Sequence, residues 1–303
     1  MLRPRIDASL ALRRAVGFQL KTDERLLHDF ARWASERGDT HVRTQTATEW
    51  AATAHSPWRR ERRLRAVASF ARHARAEDPH HEVPPICVFG RRHVRPRPHI
   101  YAPEELRRLL DAARRLPVIW PLRPQVFTTL FGLLASAGLR ISEALALRFG
   151  DVTRDGLVIR KTKFGKSRLV PLHPTAVSAL DGYLALRRRR SPVSDYLFIS
   201  PNGGRLPHQT VAKTFLQLMR HAGLRPGPGT PGPRIHDLRH TFAVRALEAC
   251  PEGGSPVGWR MRALSTYLGH RNVADTCWYL HATPQLMRGV ADACERFLDG
   301  GAR

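Results

Sequence analysis

The stretch RIHDLRHTFA, residues 234–243, sets His236 and Arg239 three positions apart, the spacing that places two side chains on one face of a helix. Leu238 and Phe242 are then left to turn toward a core. An imidazole and a guanidinium on one face can hold an anion, and other segments offer partners for it. Arg140 follows Ala137-Gly138-Leu139 at a helix start, where free backbone N–H groups and the helix dipole already favour negative charge. Glu143, one turn on, is placed to hold that guanidinium. Lys163 sits at the tip of a hairpin and carries a proton that can be donated. His270 closes STYLGH at a helix end, and Tyr279 follows nine residues later within DTCWYLHAT. Singly, each has an ordinary reading: a surface arginine, a solvent-facing lysine, a packed tyrosine. Jointly, in this order and with these local contexts, they offer partners for one anion. His240 is expected to point away from His236 and to be structural.

These side chains need elements to carry them. Residues 1–80 read as several helices. DERLLHDFARWASERG has Leu26, Leu27, Phe30, Ala31 and Trp33 at helical spacing, with Gly38 as a stop. A shorter helix around TATEWAATA reaches Ser56-Pro57, an N-cap followed by a proline at the first helical position. The next helix, WRRERRLRAVASFARHARAE, is apolar along Leu64, Val67, Ala68, Phe70 and Ala71. Its arginines form either a solvated face or a phosphate-facing one. The five prolines and clustered arginines of the region ending at 100 read as a linker, assigned to 81–100 and suited to strap across a nucleic-acid backbone.

A second domain, 101–303, opens at YAPEELRRLLDAARRL, where Pro103, Glu104 and Glu105 mark a helix start. It is mainly helical. The sequence predicts a buried helix ending at Gly138 and another from about Ile141 to Leu147. GLVIRKTKFGKSRLVPL alternates apolar and polar residues about Phe164-Gly165, as a hairpin should. The fold class is thus mainly α with a small β-sheet (α+β). The RRRR run at 187–190 ends a helix, as a solvated cap or a phosphate contact. The tail TPQLMRGVADACERFLDG forms one amphipathic helix, packed on its own domain or on a neighbour.

Composition narrows the partner. The 303 residues hold 50 Lys+Arg against 26 Asp+Glu, a formal net charge of +24. Such an excess repels itself on compaction and suits a polyanion, with nucleic acid ahead of an anionic membrane. No apolar run approaches a membrane span, and the first twenty residues show no signal-peptide core. The four cysteines are scattered without CxxC pairing, which favours a reducing cytosol over a zinc or disulfide framework.

AGLRISEAL around Arg140, KTKFGKSRLVPL around Lys163, HDLRHTFA with His236 and Arg239, LGH at His270, and Tyr279 together resemble the tyrosine recombinase, or phage integrase, family. The resemblance covers about 101–303, and residues 1–80 match loosely the helical core-binding domain that such enzymes place first. It implies a site-specific DNA recombinase in which Tyr279 attacks a backbone phosphate, forming a 3′-phosphotyrosyl link and releasing a 5′-hydroxyl. A free tyrosine has a pKa near 10, so only about one in a thousand is ionised at neutral pH, and a base or cationic site is needed. Arg140 and Arg239 would present charged forks to the phosphate oxygens, His236 would act as base or oxygen ligand, and His270 would add a hydrogen bond. Lys163 would protonate the departing oxygen. Lys161 and Lys166 crowd the same turn, and the GKSRLVPL ending favours Lys163 over Lys166.

The resemblance further implies no metal and no nucleotide cofactor, because the covalent link retains the phosphodiester energy. The expected partners are double-stranded DNA and, through the tail, three more copies in a homo-tetramer on two DNA sites. A cytoplasmic, nucleoid-associated setting follows from such a partner. Two rival readings stand: a type IB topoisomerase-like relaxing enzyme, and a non-catalytic DNA-binding protein of the same fold.

Overall fold

The computed structural model describes residues 2–90, 97–160, 167–190, 194–227, 232–249 and 257–270, together with Asn272, Ala274–Cys277 and Tyr279. Lys163 and the rest of the hairpin tip lie outside these residues, as does the tail helix expected beyond 282. The chain divides into two compact units, Met1–Pro96 and Arg97–Arg303.

The N-terminal unit is built from α1 (Leu2–Ala15), α2 (Lys21–Ser35), α3 (Thr44–Ala52) and α4 (Pro57–Glu77). Each turns a stripe at three- and four-residue spacing into one core, formed by Ile6, Phe30, Trp50, Val67 and Phe70 among others. Ser56 caps α4 by accepting the Arg59 amide, with Pro57 at the first helical position. α3 stops at Ala52, short of Ser56, because Thr53 and Ala54 already turn the chain. The proline-rich stretch does not begin as a free strap. Val83 and Phe89 pack on the core, and the Glu82 and Cys87 amides donate to the Val42 carbonyl and to Glu61.

In the second unit, α6 (Arg123–Ala137) is mostly apolar, buries Val126, Phe127, Leu130, Phe131, Leu133 and Leu134, and forms the centre of the core. Around it pack α5 (Pro103–Arg114), α8 (Pro174–Arg190) and α10 (Ile235–Glu248), while α9 (His208–His221) covers α5. α11 (Val257–Leu268) closes against α10 and leads into the short α12 (Ala274–Cys277). α7 (Ile141–Ala144) is shorter than the sequence predicts. The chain leaves the helix so that the Leu147 carbonyl can accept the Leu197 amide.

The predicted hairpin forms between β2 (Gly156–Ile159) and β3 (Arg168–Val170), joined at one edge by a two-residue strand, β1 (Val152–Thr153). The three strands are antiparallel, and the register sets Ile159 opposite Arg168. The RRRR run divides. Arg187 is fully buried and donates to the Ser194 and Tyr196 carbonyls, so it is neither a solvated cap nor a phosphate contact, while Arg188 and Arg189 are exposed as expected of a helix end. Among the described residues no helix is long and apolar enough to cross a membrane.

Candidate active site

Gly138 and Gly269 make the turns on which the site is built. Gly138 ends α6 in the left-handed region at φ +59°, where a side chain is strained, and a Cβ there would collide with the Phe242 ring. Its carbonyl is thereby presented to α10, where Arg239 Nη1 donates to it at 2.6 Å. Gly269, at φ +67°, ends α11, and a Cβ there would lie 2.7 Å from Arg168 Nη1. Both turns bring backbone close to a guanidinium.

Arg140 sits at the N-cap of α7, and its amide donates to Glu143 Oε2 at 3.0 Å. Its side chain donates from Nη1 to Glu143 Oε1 at 2.8 Å and from Nη2 to the Gly269 carbonyl at 3.0 Å. Glu143 is almost fully buried and carries a second cation. Arg168, at the start of β3, grips both carboxylate oxygens at 3.1 and 2.9 Å and donates from Nε to the Tyr267 carbonyl. Burial alone would push the Glu143 carboxyl up. The Arg168 hydrogen bonds, the Arg140 amide and the two positive charges reverse that and hold its pKa at about 2.

α10 is fixed at its own start. Buried Asp237 accepts the Arg234 amide at 2.8 Å, and the Thr241 hydroxyl accepts the Tyr101 amide at 2.9 Å. Anchored this way, α10 holds Arg239 with 2% of its surface exposed. Arg239 Nη2 donates to the Leu268 carbonyl at 2.8 Å and to His270 Nε2 at 3.0 Å. Burial, and then the neighbouring Arg140 charge, lower its pKa to about 10, which still leaves it fully cationic at neutral pH. Because Nε2 accepts from Arg239, the His270 proton lies on Nδ1, 2.7 Å from the Thr276 hydroxyl.

Tyr279 completes the cluster. Its ring is 3% exposed and lies 24° from parallel with the His270 ring, their centroids 6.0 Å apart. It belongs to a buried apolar cluster with Val244, Leu247, Met261 and Leu264. His236 and His240 approach from α10. Their rings meet at 4.7 Å, and His240 lies 5.3 Å from Tyr279. The expectation that His240 points away from His236 is therefore wrong. Residues four apart on a helix share a face. Burial pushes both imidazoles down to about 4, so both are neutral bases at pH 7, although His236 keeps one side open to solvent.

Of the sequence-predicted residues, Arg140, Glu143, His236, Arg239, His270 and Tyr279 come together, and Lys163 lies outside the described residues. Arg168 and Thr276 were missed. Arg168 follows Lys163 by five positions and reads as an ordinary strand residue.

The sequence model of the phage integrase family matches residues 100–285, which contain all of these positions. The chain belongs to this family. Along its whole length it is 40% identical to a putative integrase/recombinase, y4rB, of Sinorhizobium fredii, with 97% of each chain covered. The fold is that of the Tn1549 transposon integrase solved with transposon right end DNA (TM-score 0.67, 19% identity, 96% of this chain and 98% of that one). It is also that of a lambda integrase tetramer solved on a Holliday junction (TM-score 0.63, 16% identity, 91% and 76%). As a member of the tyrosine recombinases, the chain is a DNA-cleaving and DNA-rejoining enzyme.

Proposed function

We propose that this recombinase cleaves one strand of a duplex through Tyr279 and rejoins it to another, with Arg140 and Arg239 holding the phosphate and His270 joining them once Arg239 leaves its Nε2 and that nitrogen carries the ring proton. The Tyr279 oxygen bonds to phosphorus as the bond from phosphorus to the 5′ oxygen breaks. The phenolic proton passes to a base, and the departing 5′ oxygen gains one from Lys163. The reverse attack by a 5′-hydroxyl restores the phosphodiester.

One observation carries this reading. Segments from residue 140 to residue 279 deliver two guanidinium groups and an imidazole to one place, and the phenol stacks on that imidazole. The arginines now spend their donors on the Gly138, Leu268 and Gly269 carbonyls and on His270. A phosphate oxygen is a stronger, charged acceptor for the same forks. Either neutral imidazole of α10 can take the tyrosine proton, and the His240 ring stands 5.3 Å from that of Tyr279.

The N-terminal unit supplies sequence-independent affinity. A groove of about 1130 Å³ there is lined by Arg3, Arg25, Arg32, Arg59, Arg62 and Trp58, a surface suited to a phosphate backbone. Assembly is read as a tetramer on two DNA sites, as the lambda integrase is on its junction.

The test is a duplex nicked near the crossover point, which traps the covalent intermediate. Wild-type protein is expected to give a covalent protein–DNA product that Tyr279→Phe does not form. A product that persists in that variant overturns the assignment, and trapping on any DNA sequence points to topoisomerase-like relaxation.

A further inference from the structure

A second cluster of chemically capable side chains lies in the N-terminal unit and plays no part in strand cleavage. His41, in the turn between α2 and α3, faces Asp78, the C-cap of α4, and His80 two residues beyond it. One ring nitrogen of His41, one of His80 and a carboxylate oxygen of Asp78 all lie within 4.8 Å of one another. His41 Nε2 is 3.1 Å from Asp78 Oδ2, and His80 Nδ1 is 2.9 Å from Asp78 Oδ1. Ligands on a tetrahedral zinc ion, each about 2.0–2.2 Å from the metal, stand about 3.3 Å apart. The two histidines meet different oxygens of Asp78, and with one oxygen as ligand the three donors lie within 4.8 Å, so a small closure brings them to one coordination face.

The surroundings suit a metal. The Thr40 hydroxyl lies 2.8 Å from His41 Nδ1, so it can accept the ring proton there and leave the Nε2 lone pair facing Asp78. A partner on the outer nitrogen is what orients most metal-bound histidines. Asp78 is held as an anion. Arg5 Nη1 donates to its Oδ2 at 2.7 Å, and the His80 amide donates to its Oδ1 at 3.1 Å. Arg5 occupies Oδ2, so a single-oxygen metal bond falls to Oδ1, which accepts the His80 amide and keeps a second lone pair. Buried His81 is no ligand, because its Nδ1 accepts the Val42 amide at 3.0 Å, but it supports the turn that carries His41. The His80 side chain is 80% exposed, which gives an ion a direct path in and leaves room for water.

We propose that His41, Asp78 and His80 form a binding site for one divalent transition metal ion of the zinc type, with water completing the tetrahedron. Two imidazoles and one carboxylate are a donor set that zinc accepts, and that magnesium and calcium, which prefer all-oxygen shells, do not. The ion ties the turn carrying His41 to the root of the proline-rich segment. It therefore braces the point where the chain leaves the four-helix core.

The experiment uses the full chain, stripped with a chelator and titrated with Zn²⁺ against a chromophoric competitor, and separately with Co²⁺ followed by visible absorption. One equivalent is expected to bind, with the absorption bands of tetrahedral Co²⁺. Affinity should fall by about tenfold or more in His41→Ala, Asp78→Asn and His80→Ala, since each removes one of only three protein ligands. His73→Ala, which removes a histidine of α4 outside the cluster, should bind like the wild type. His80 packs against little, so its variant separates lost ligation from lost folding. Wild-type affinity retained in His80→Ala, or no saturable equivalent below about 100 µM Zn²⁺, overturns the proposal. Strand cleavage is not the readout, so this outcome is independent of the recombinase assignment.

Discussion

Arg140 and Arg239, which come from different helices, donate to the same acceptor, the carbonyl of Leu268, at 3.3 and 2.8 Å. A shared acceptor brings two like charges close together. Within the protein, that cost is offset on the Arg140 side by Glu143 and on the Arg239 side by backbone carbonyls. A phosphate arriving between them must draw these forks off their present acceptors, and as a charged acceptor it offers them stronger bonds in a site already fixed in place.

Replacing Arg239 with lysine keeps the charge and removes the fork. Lysine cannot reach the Gly138 carbonyl, the Leu268 carbonyl and His270 together, as Arg239 does. Loss of one preorganised donor costs about 100- to 1000-fold in rate. Single-turnover cleavage of a nicked duplex should slow by at least the lower figure in Arg239→Lys while duplex binding changes little. A variant that cleaves within about threefold of wild type would mean that charge alone suffices.

The arginines and the tyrosine were legible because type, order and local context coincide: a glycine break before Arg140, a helix face for Arg239, a helix end before Tyr279. Arg168 was not. Its partner Glu143 lies on another element, and no helical or strand periodicity links the two. Thr276 was hidden for the same reason, since its bond to His270 Nδ1 follows from no sequence spacing. His240 is the opposite case. Its spacing from His236 already put it on the shared face, and the periodicity was there to be applied. The two-residue β1 strand carries too little pattern to be read in advance.

Glu143 gives the site a pH signature. Its folded-state pKa of about 2 lies below the ordinary 4.5, so the unfolded chain binds its proton first as pH falls. The stabilisation is complete above about pH 5 and lost between there and about pH 2, and amounts to about 3 kcal/mol. Urea unfolding across that range should show this loss in the wild type, and a shallower one in Glu143→Gln. Curves of equal slope would remove Glu143 from the account.

Arg168→Ala leaves the buried carboxylate with Arg140 as its remaining ion-pair partner, and breaking a buried pair costs about 3–5 kcal/mol. Lower stability should appear in urea midpoints at neutral pH, and Arg168→Lys should recover part of it. Unchanged midpoints would show that solvent replaces the guanidinium without penalty.

The two α10 histidines titrate below the ordinary imidazole range because burial disfavours their charged forms. Their contribution to stability is therefore present above about pH 6.5 and lost as pH falls toward 4. In the free protein, proton NMR should find both rings neutral at pH 6. Duplex should raise the His236 midpoint, because a phosphate favours imidazolium. A ring that already titrates near 6.5 without DNA would deny it the role of a neutral base at physiological pH.

Gly138 tests whether the backbone or the side chains set the site. Alanine there must adopt φ +59° and displace the Phe242 ring, which stacks on Tyr267. The left-handed conformation alone costs about 1 kcal/mol, and the clash adds to it. Gly138 also supplies the carbonyl that receives Arg239. A shift in that turn should therefore lower cleavage by more than stability alone predicts, even at temperatures where the variant is fully folded. Gly17, which ends α1 at φ +94° with nothing near its Cβ, is the matched control: its alanine variant bears backbone strain without the site. If both variants lose stability alike and both cleave at the wild-type rate while folded, the Gly138 turn only closes α6, and the arginines find the phosphate without it.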